Sequence, residues 1–116
     1  MPLNFADVVR LATLLPSVEE STSYGTPALK VKGKLMARLR EDGTTSVLRV
    51  PFVVRDHLIT TDPAVFFLTE QYRNYPYMLV RLQVVPAASI KPLLAEAWRH
   101  VAPKRMIAAR DKADTQ

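Results

Sequence analysis

The chain has 116 residues, of which 48% are apolar, and its sixteen basic and eleven acidic side chains give a formal net charge of +5. The apolar content excludes a disordered chain, and the absence of cysteine excludes disulfides and thiolate metal ligands. No apolar run reaches the ~20 residues of a membrane-spanning helix, and the first residues lack the pattern of a secretory signal. We therefore expect one soluble, cytoplasmic domain over residues 1–116, with a positive charge that favours polyanions such as nucleic acid.

The first predicted element is a helix that begins after Asn4. Asn4 and Asp7 have the spacing of a capping box, and apolar residues follow at helical intervals until Pro16. Residues 17–26 are rich in Ser, Thr and Glu and are predicted to form a linker that ends in a turn.

Three short strands, over residues 28–32, 35–40 and 45–50, form the centre of the predicted fold. Side chains alternate along a strand, which predicts a buried face made of Leu29, Val31, Leu35, Ala37 and Leu39. Met36 and several cations would lie on the opposite face. No carboxylate occurs between Ser21 and Arg40, so this face is the main candidate for binding phosphate. Its candidate contacts are Lys30, Lys32, Arg38 and Arg40, with Lys34 and Arg49 as secondary contacts.

The second half of the chain supplies further helices and a strand. Residues 52–61 suit a short helix, although their β-branched content also fits a strand; we favour the helix. Residues 65–68 form a buried apolar run, 77–85 a strand, and Ser89 caps a long amphipathic helix that ends at Pro103. One or two further helical turns and a frayed tail over 110–116 are expected. The predicted fold is α+β: an antiparallel sheet of about four strands with helices on one face.

The segment from Tyr72 to Tyr77 interleaves aromatic side chains with a cation. Exposed tyrosines could stack on bases or on another planar ligand, and Arg73 could reach a phosphate. Alternatively, Tyr72 and Tyr75 pack a turn over the core. Together with Tyr24 they define a second candidate site, a pocket for a protein segment or a small anion.

We find no catalytic, metal or cofactor signature. His57 and His100 are far apart in sequence and have no carboxylate at metal-ligand spacing, and the adjacent Glu19 and Glu20 would point apart. Neither a Gly-x-Ser-x-Gly motif nor a phosphate-binding glycine loop is present. We therefore expect a protein that is not an enzyme.

Several segments resemble the MmcQ/YjbR-like family of small bacterial proteins. These are Ser23–Lys34, Phe66–Thr69, Tyr72–Pro76, Leu79–Leu82 and the late pair Ala97–Arg99 and Ala102–Arg105. The resemblance covers residues 5–110 and implies an α+β domain likened to a double-wing DNA-binding architecture. It brings no catalytic residues, and DNA binding is implied from the fold alone.

Two functional interpretations result. The first is a DNA-binding or regulatory module that contacts phosphate through its basic sheet face. The second is a binding module for a protein or small anionic ligand, with a pocket near Tyr24, Tyr72 and Tyr75. A concave pocket with a few converging polar groups would favour the second interpretation, and a broad convex basic surface the first.

Overall fold

The computed structural model describes residues 2–114, which contain helices and one antiparallel sheet. The elements in chain order are α1 (Phe5–Ala12), β1 (Val18–Ser23), β2 (Thr26–Val31), β3 (Lys34–Leu39), β4 (Thr45–Arg49), α2 (Phe52–Thr61), β5 (Phe66–Phe67), a 3₁₀ turn (Glu70–Tyr72), β6 (Tyr77–Arg81), α3 (Ala87–Val101) and α4 (Lys104–Asp114). The strand order is β1-β2-β3-β4-β6-β5. The α+β prediction is confirmed, and the described sheet has six strands where about four were expected.

One face of the sheet is covered by helices and holds the main core. We call it the helix face; it contains Leu29, Val31, Ala37, Leu48 and Met78, all fully buried or nearly so. Helix α3 packs on β3 and β4, and α1 packs on α3. Trp98 lies in this core, and its indole Nε1 donates a hydrogen bond to the Pro16 carbonyl, 2.8 Å away. This bond ties α3 to the loop that follows α1.

The predicted helix starts and stops agree with the structure in most places. Asn4 and Asp7 form the expected reciprocal capping box, and residues 52–61 form a helix. Helix α3 begins at Ala87, slightly before the predicted cap at Ser89. Helix α4 continues to Asp114, so the fraying expected from residue 110 is not seen up to that point. A bidentate ion pair between Arg99 and Asp111 holds α4 against α3. Residues 115 and 116 lie outside the described part of the chain.

Residues 18–23 form a strand, so the predicted linker is wrong over most of its length. Strand β1 pairs antiparallel with β2, from Val18 opposite Val31 to Ser23 opposite Thr26. It is an outer strand with little burial, and its polar sequence therefore lacks the apolar alternation that marks a half-buried strand. At the other edge, β5 is only two residues long, and β6 ends at Arg81, before the predicted 85.

A β-bulge in β3 changes which side chains point into the core. Lys30 lies opposite Leu35 and Leu29 opposite Ala37, so Met36 is the extra residue without a partner. As a result Met36 and Ala37 are both fully buried in the main core. The prediction that Leu35 is buried on the helix face and Met36 lies on the other face is therefore reversed. Within residues 2–114, no helix has both the length and the apolar character needed to cross a membrane.

Candidate functional site

The face of the sheet opposite the helices is partly covered by the segment between β5 and β6. We call it the tyrosine face, because Tyr72 and Tyr77 pack there against Val47 and Leu79 in a second, smaller apolar cluster. The two tyrosine rings meet edge to face, with centroids 5.8 Å apart. This face was predicted to be an open cationic surface, and the coverage by residues 68–76 corrects that prediction.

Arg38 lies on the tyrosine face but is buried, with only 2% of its surface exposed. Its Nε donates to the Tyr72 hydroxyl at 3.3 Å, and its Nη1 donates to the Thr26 hydroxyl at 2.8 Å and to the Leu39 carbonyl at 3.2 Å. The central carbon of the guanidinium lies over the Tyr24 ring, 5.2 Å from the ring centroid. The prediction of Arg38 as a main surface contact for phosphate is therefore wrong, because these partners remove it from solvent.

A pocket of about 440 Å³ lies beside Arg38. Tyr24, Tyr72 and Tyr75, which the sequence analysis grouped as a candidate pocket, all line it. Leu35, Gln71 and Tyr77 complete its lining. We call these six residues the tyrosine pocket. Four separate parts of the chain supply them: the β1–β2 turn, β3, the segment around the 3₁₀ turn, and β6.

Tyr24 reaches the pocket because of the geometry of the β1–β2 turn. Tyr24 and Gly25 form a two-residue connection with φ values of 53° and 77°, the positive values of a type I′ hairpin turn. A bulky residue at positive φ is unusual and carries local strain. The ring is 78% exposed, so burial in the core does not account for its position.

Arg55 in α2 holds the segment that carries Tyr72 and Tyr75, a role that was not predicted from the sequence. Its Nη1 contacts the backbone carbonyls of Tyr72, Arg73 and Tyr75 at 3.5, 3.2 and 3.0 Å. The residue is 6% exposed and stacks on the Phe52 ring. Val54 and Leu58 of α2 pack against the core, and Arg55 shares their side of the helix. This spacing was the signal available in the sequence.

Two of the remaining predicted arginines, Arg49 and Arg73, have partners of their own, and Arg40 differs from them. Arg49 Nε donates to His100 Nδ1 at 3.3 Å, and its Nη1 donates to the Tyr77 hydroxyl at 3.5 Å. Burial and, to a lesser extent, the Arg49 charge lower the pKa of His100. Arg73 is exposed and pairs with Glu70 at 3.3 Å. Arg40 is half-buried, and its enclosed Nε has no hydrogen-bond partner among the described residues.

The three lysines of the predicted basic face gather at the β2–β3 hairpin. Lys32 occupies the turn and Lys34 begins β3, and both are exposed. Lys30 is half-buried and lies opposite Glu19 of β1, so a carboxylate borders this face after all. A second group of basic residues belongs to α3 and α4 in the helix layer: Arg99, Lys104, Arg105 and Arg110. The two basic groups therefore lie on different layers of the molecule.

Comparisons with known proteins agree with this fold. Proteins described as uncharacterised from Mycobacterium bovis and Mycobacterium tuberculosis are each 38% identical over 56 residues, which is 48% of this chain and 43% of theirs. The match therefore spans less than half the length of these relatives. The crystal structure of a Deinococcus radiodurans protein with a DUF419 domain is similar with a TM-score of 0.71, at 20% identity, over 82% of this chain and 75% of that one. The YjbR family model matches residues 13–100, a range that includes every residue of the tyrosine pocket. Both the resemblance noted in the sequence and this match lead to the same conclusion: the chain belongs to the YjbR family.

Proposed function

We propose that this chain is a non-enzymatic binding module and that its ligand is a small molecule held in the tyrosine pocket. The observation that carries the proposal is the convergence of Tyr24, Tyr72 and Tyr75 on one concavity. Its volume of about 440 Å³ lies within the roughly 300–1,000 Å³ that is usual for small-molecule sites. An apolar and aromatic lining with a few polar groups is also typical of such sites.

The chemistry of the lining supports binding more than catalysis. Its side chains supply phenols, an amide and a leucine, and among these six residues there is no carboxylate, imidazole, amine or thiol. Those groups perform most general acid–base and nucleophilic steps in enzymes. The module would act in the cytoplasm, as expected from the sequence.

A variant that fills the pocket tests this proposal. Leu35→Trp places a large ring in the concavity from its half-buried wall, so we expect it to reduce binding of small aromatic compounds at least tenfold. Saturation-transfer NMR with a set of single-ring and double-ring compounds would measure this. The matched control is Val53→Trp, an exposed position on α2. Equal binding by parent and Leu35→Trp would refute the pocket as the binding site.

Nucleic acid is a second candidate ligand, favoured by one specific observation. Lys32 and Lys34 project together from the β2–β3 hairpin, and neither has an ion pair within the described residues. Exposed lysines of this kind attract phosphate backbones without reading their sequence. The buried Arg38 and the engaged Arg49 leave this surface smaller than predicted.

A further inference from the structure

In the pocket, the hydroxyls of two tyrosines each accept a hydrogen bond from an arginine. Arg38 Nε donates to the Tyr72 hydroxyl at 3.3 Å, and Arg49 Nη1 donates to the Tyr77 hydroxyl at 3.5 Å. Both residues line the pocket, and their rings are in edge-to-face contact.

The arginines determine what these hydroxyls can offer a ligand. A guanidinium can only donate hydrogen bonds, so each phenol oxygen acts here as an acceptor and keeps its own hydrogen for another partner. Among residues 2–114, no group accepts a hydrogen bond from either hydroxyl. Each hydroxyl can therefore donate a hydrogen bond, and a positively charged guanidinium lies next to it. This arrangement favours a ligand group that accepts hydrogen bonds, and an anionic group most of all.

The nearest counter-charge to Arg38 is weak. Its Nη2 lies 3.5 Å from a carboxylate oxygen of Glu41, whose side chain is 64% exposed. The pKa of Glu41 is lowered, first by a hydrogen bond from its own backbone amide and also by the Arg38 charge, so this carboxyl is ionised at neutral pH. The positive charge of the buried Arg38 guanidinium is therefore only partly neutralised, because its ion pair is long and exposed to solvent. A bound anion would complete the neutralisation.

The other side of the pocket offers flat apolar surface. Tyr24 is 78% and Tyr75 58% exposed, although both rings belong to the lining. Exposed tyrosine faces stack well on planar rings.

We propose that the tyrosine pocket binds a planar aromatic acid. The ring lies against Tyr24 and Tyr75, and the carboxylate or phosphate accepts hydrogen bonds from the hydroxyls of Tyr72 and Tyr77. This inference rests on the proposed function, since it specifies the ligand of the same site. Aromatic carboxylates and nucleoside monophosphates share the required chemistry.

Matched pairs of probes test the preference for an anion. The first pair is 2-naphthoate and its neutral isostere 2-naphthamide; the second is uridine monophosphate and uridine. In calorimetric titrations of the parent protein, we expect the acid of at least one pair to bind about tenfold or more tightly than its neutral partner. Added salt should weaken binding of that acid and leave its neutral partner nearly unchanged. A preference within the naphthoate pair identifies carboxylate as the anionic group of the ligand, and a preference within the uridine pair identifies phosphate.

Removing one hydroxyl at a time separates this role from simple packing. Tyr77→Phe should reduce the preference for the acid about tenfold and leave binding of the neutral partner within about twofold. The variant is expected to fold, because Arg49 keeps its hydrogen bond to His100. Tyr72→Phe should act in the same direction. Thr60→Val is the control, since it removes an exposed hydroxyl from α2, outside the pocket.

A change of charge outside the pocket provides an independent variant. Glu41→Gln removes the carboxylate that competes for Arg38 and should strengthen binding of the acid about two- to fivefold. Glu20→Gln makes the same change in net charge at an exposed position of β1 and should have little effect.

The outcomes separate this inference from the proposed function. If acid and neutral probes bind the pocket equally, the inference is overturned and the binding module remains. If no probe binds, both proposals fail. An equal loss of preference in Thr60→Val and Tyr77→Phe would also overturn the inference. Binding of a single-stranded oligonucleotide alone would overturn it as well and would favour the nucleic-acid candidate.

Discussion

Arg38 and Arg55 show what residue type alone does not reveal. Both look like surface cations in the sequence, yet both are buried and donate hydrogen bonds to groups far along the chain, from Thr26 to Tyr75. Their burial depends on partners that only the folded chain brings together. The sequence grouped Tyr24, Tyr72 and Tyr75 because one lies in a turn and two lie in a polar, aromatic connection. Tyr72 is only 7% exposed, because it packs on the sheet as the alternative interpretation expected.

At the same scale, Arg55 is expected to control the order of the segment that forms the pocket. Arg55→Met keeps the apolar stem but removes a side-chain donor from three backbone carbonyls. The Tyr72 and Tyr75 carbonyls each keep a backbone amide donor, so the loss falls mainly on the Arg73 carbonyl and should cost about 1–2 kcal/mol of stability. Amide hydrogen exchange should accelerate in residues 70–77 more than in the sheet.

Arg73→Met is the control for this variant, because the Arg73 side chain is exposed and, among the described residues, forms an ion pair only with Glu70. Its effect on stability should stay within about 0.5 kcal/mol. If exchange in residues 70–77 is the same in Arg55→Met and in the parent, the holding role assigned to Arg55 is wrong.

At the scale of elements, the sequence predicted those whose signals are local. The capping box of α1 and the turns of the sheet depend on a few neighbouring residues and agree with the structure. Strands β1 and β5 were missed because one is polar at an edge and the other has two residues. The bulge at Met36 was missed because the side chains of β3 were expected to alternate between the two faces along its whole length. This error placed Leu35 on the wrong face.

The β2–β3 hairpin is the element on which DNA binding would depend. Lys32→Ala with Lys34→Ala removes two exposed cations, so the slope of log affinity against log salt for duplex DNA should flatten by roughly 1 to 2. Fluorescence anisotropy at several salt concentrations measures the slope. These positions are better choices than Arg38, whose replacement would also disturb the core of the tyrosine face.

Lys104→Ala with Arg105→Ala provides the comparison for the hairpin variant, because it removes the same charge from the helix layer. If the two double variants flatten the slope equally, DNA binding depends only on the net charge of the protein. In that case the hairpin is not a specific contact surface.

At the scale of the whole molecule, the two layers set the distribution of charge. One basic group lies at the β2–β3 hairpin and the other on α3 and α4. The cations of these two groups are therefore divided between two layers, which limits how many phosphates one duplex can contact at once.

Stability in acid should depend on the turn between β3 and β4. The Asp42 carboxylate accepts hydrogen bonds from the amides of Thr44 and Thr45 and from the Thr45 hydroxyl. Burial acts to raise the pKa of Asp42, but these hydrogen bonds together lower it below 3.8. The contribution of Asp42 is then fully present above pH ~3.8 and is lost as the pH falls through the lower pKa of the folded state.

We therefore expect Asp42→Asn to be less stable than the parent by about 1 kcal/mol at pH 7. The difference should shrink as the pH falls below 3.8 and vanish once the parent carboxyl is protonated. Urea unfolding at a series of pH values measures this. A difference that stays constant down to the lowest pH would contradict the assignment.

The polar sequence of β1 has a consequence for how separate molecules meet. An outer strand presents unpaired backbone groups to which another chain can add, and long apolar edges of this kind promote fibril formation. Here the edge carries Glu19 and Glu20 followed by Ser, Thr and Ser. Two copies that approached edge to edge would bring like charges together and gain little apolar contact. The composition that made β1 resemble a linker thus protects the sheet from uncontrolled self-assembly.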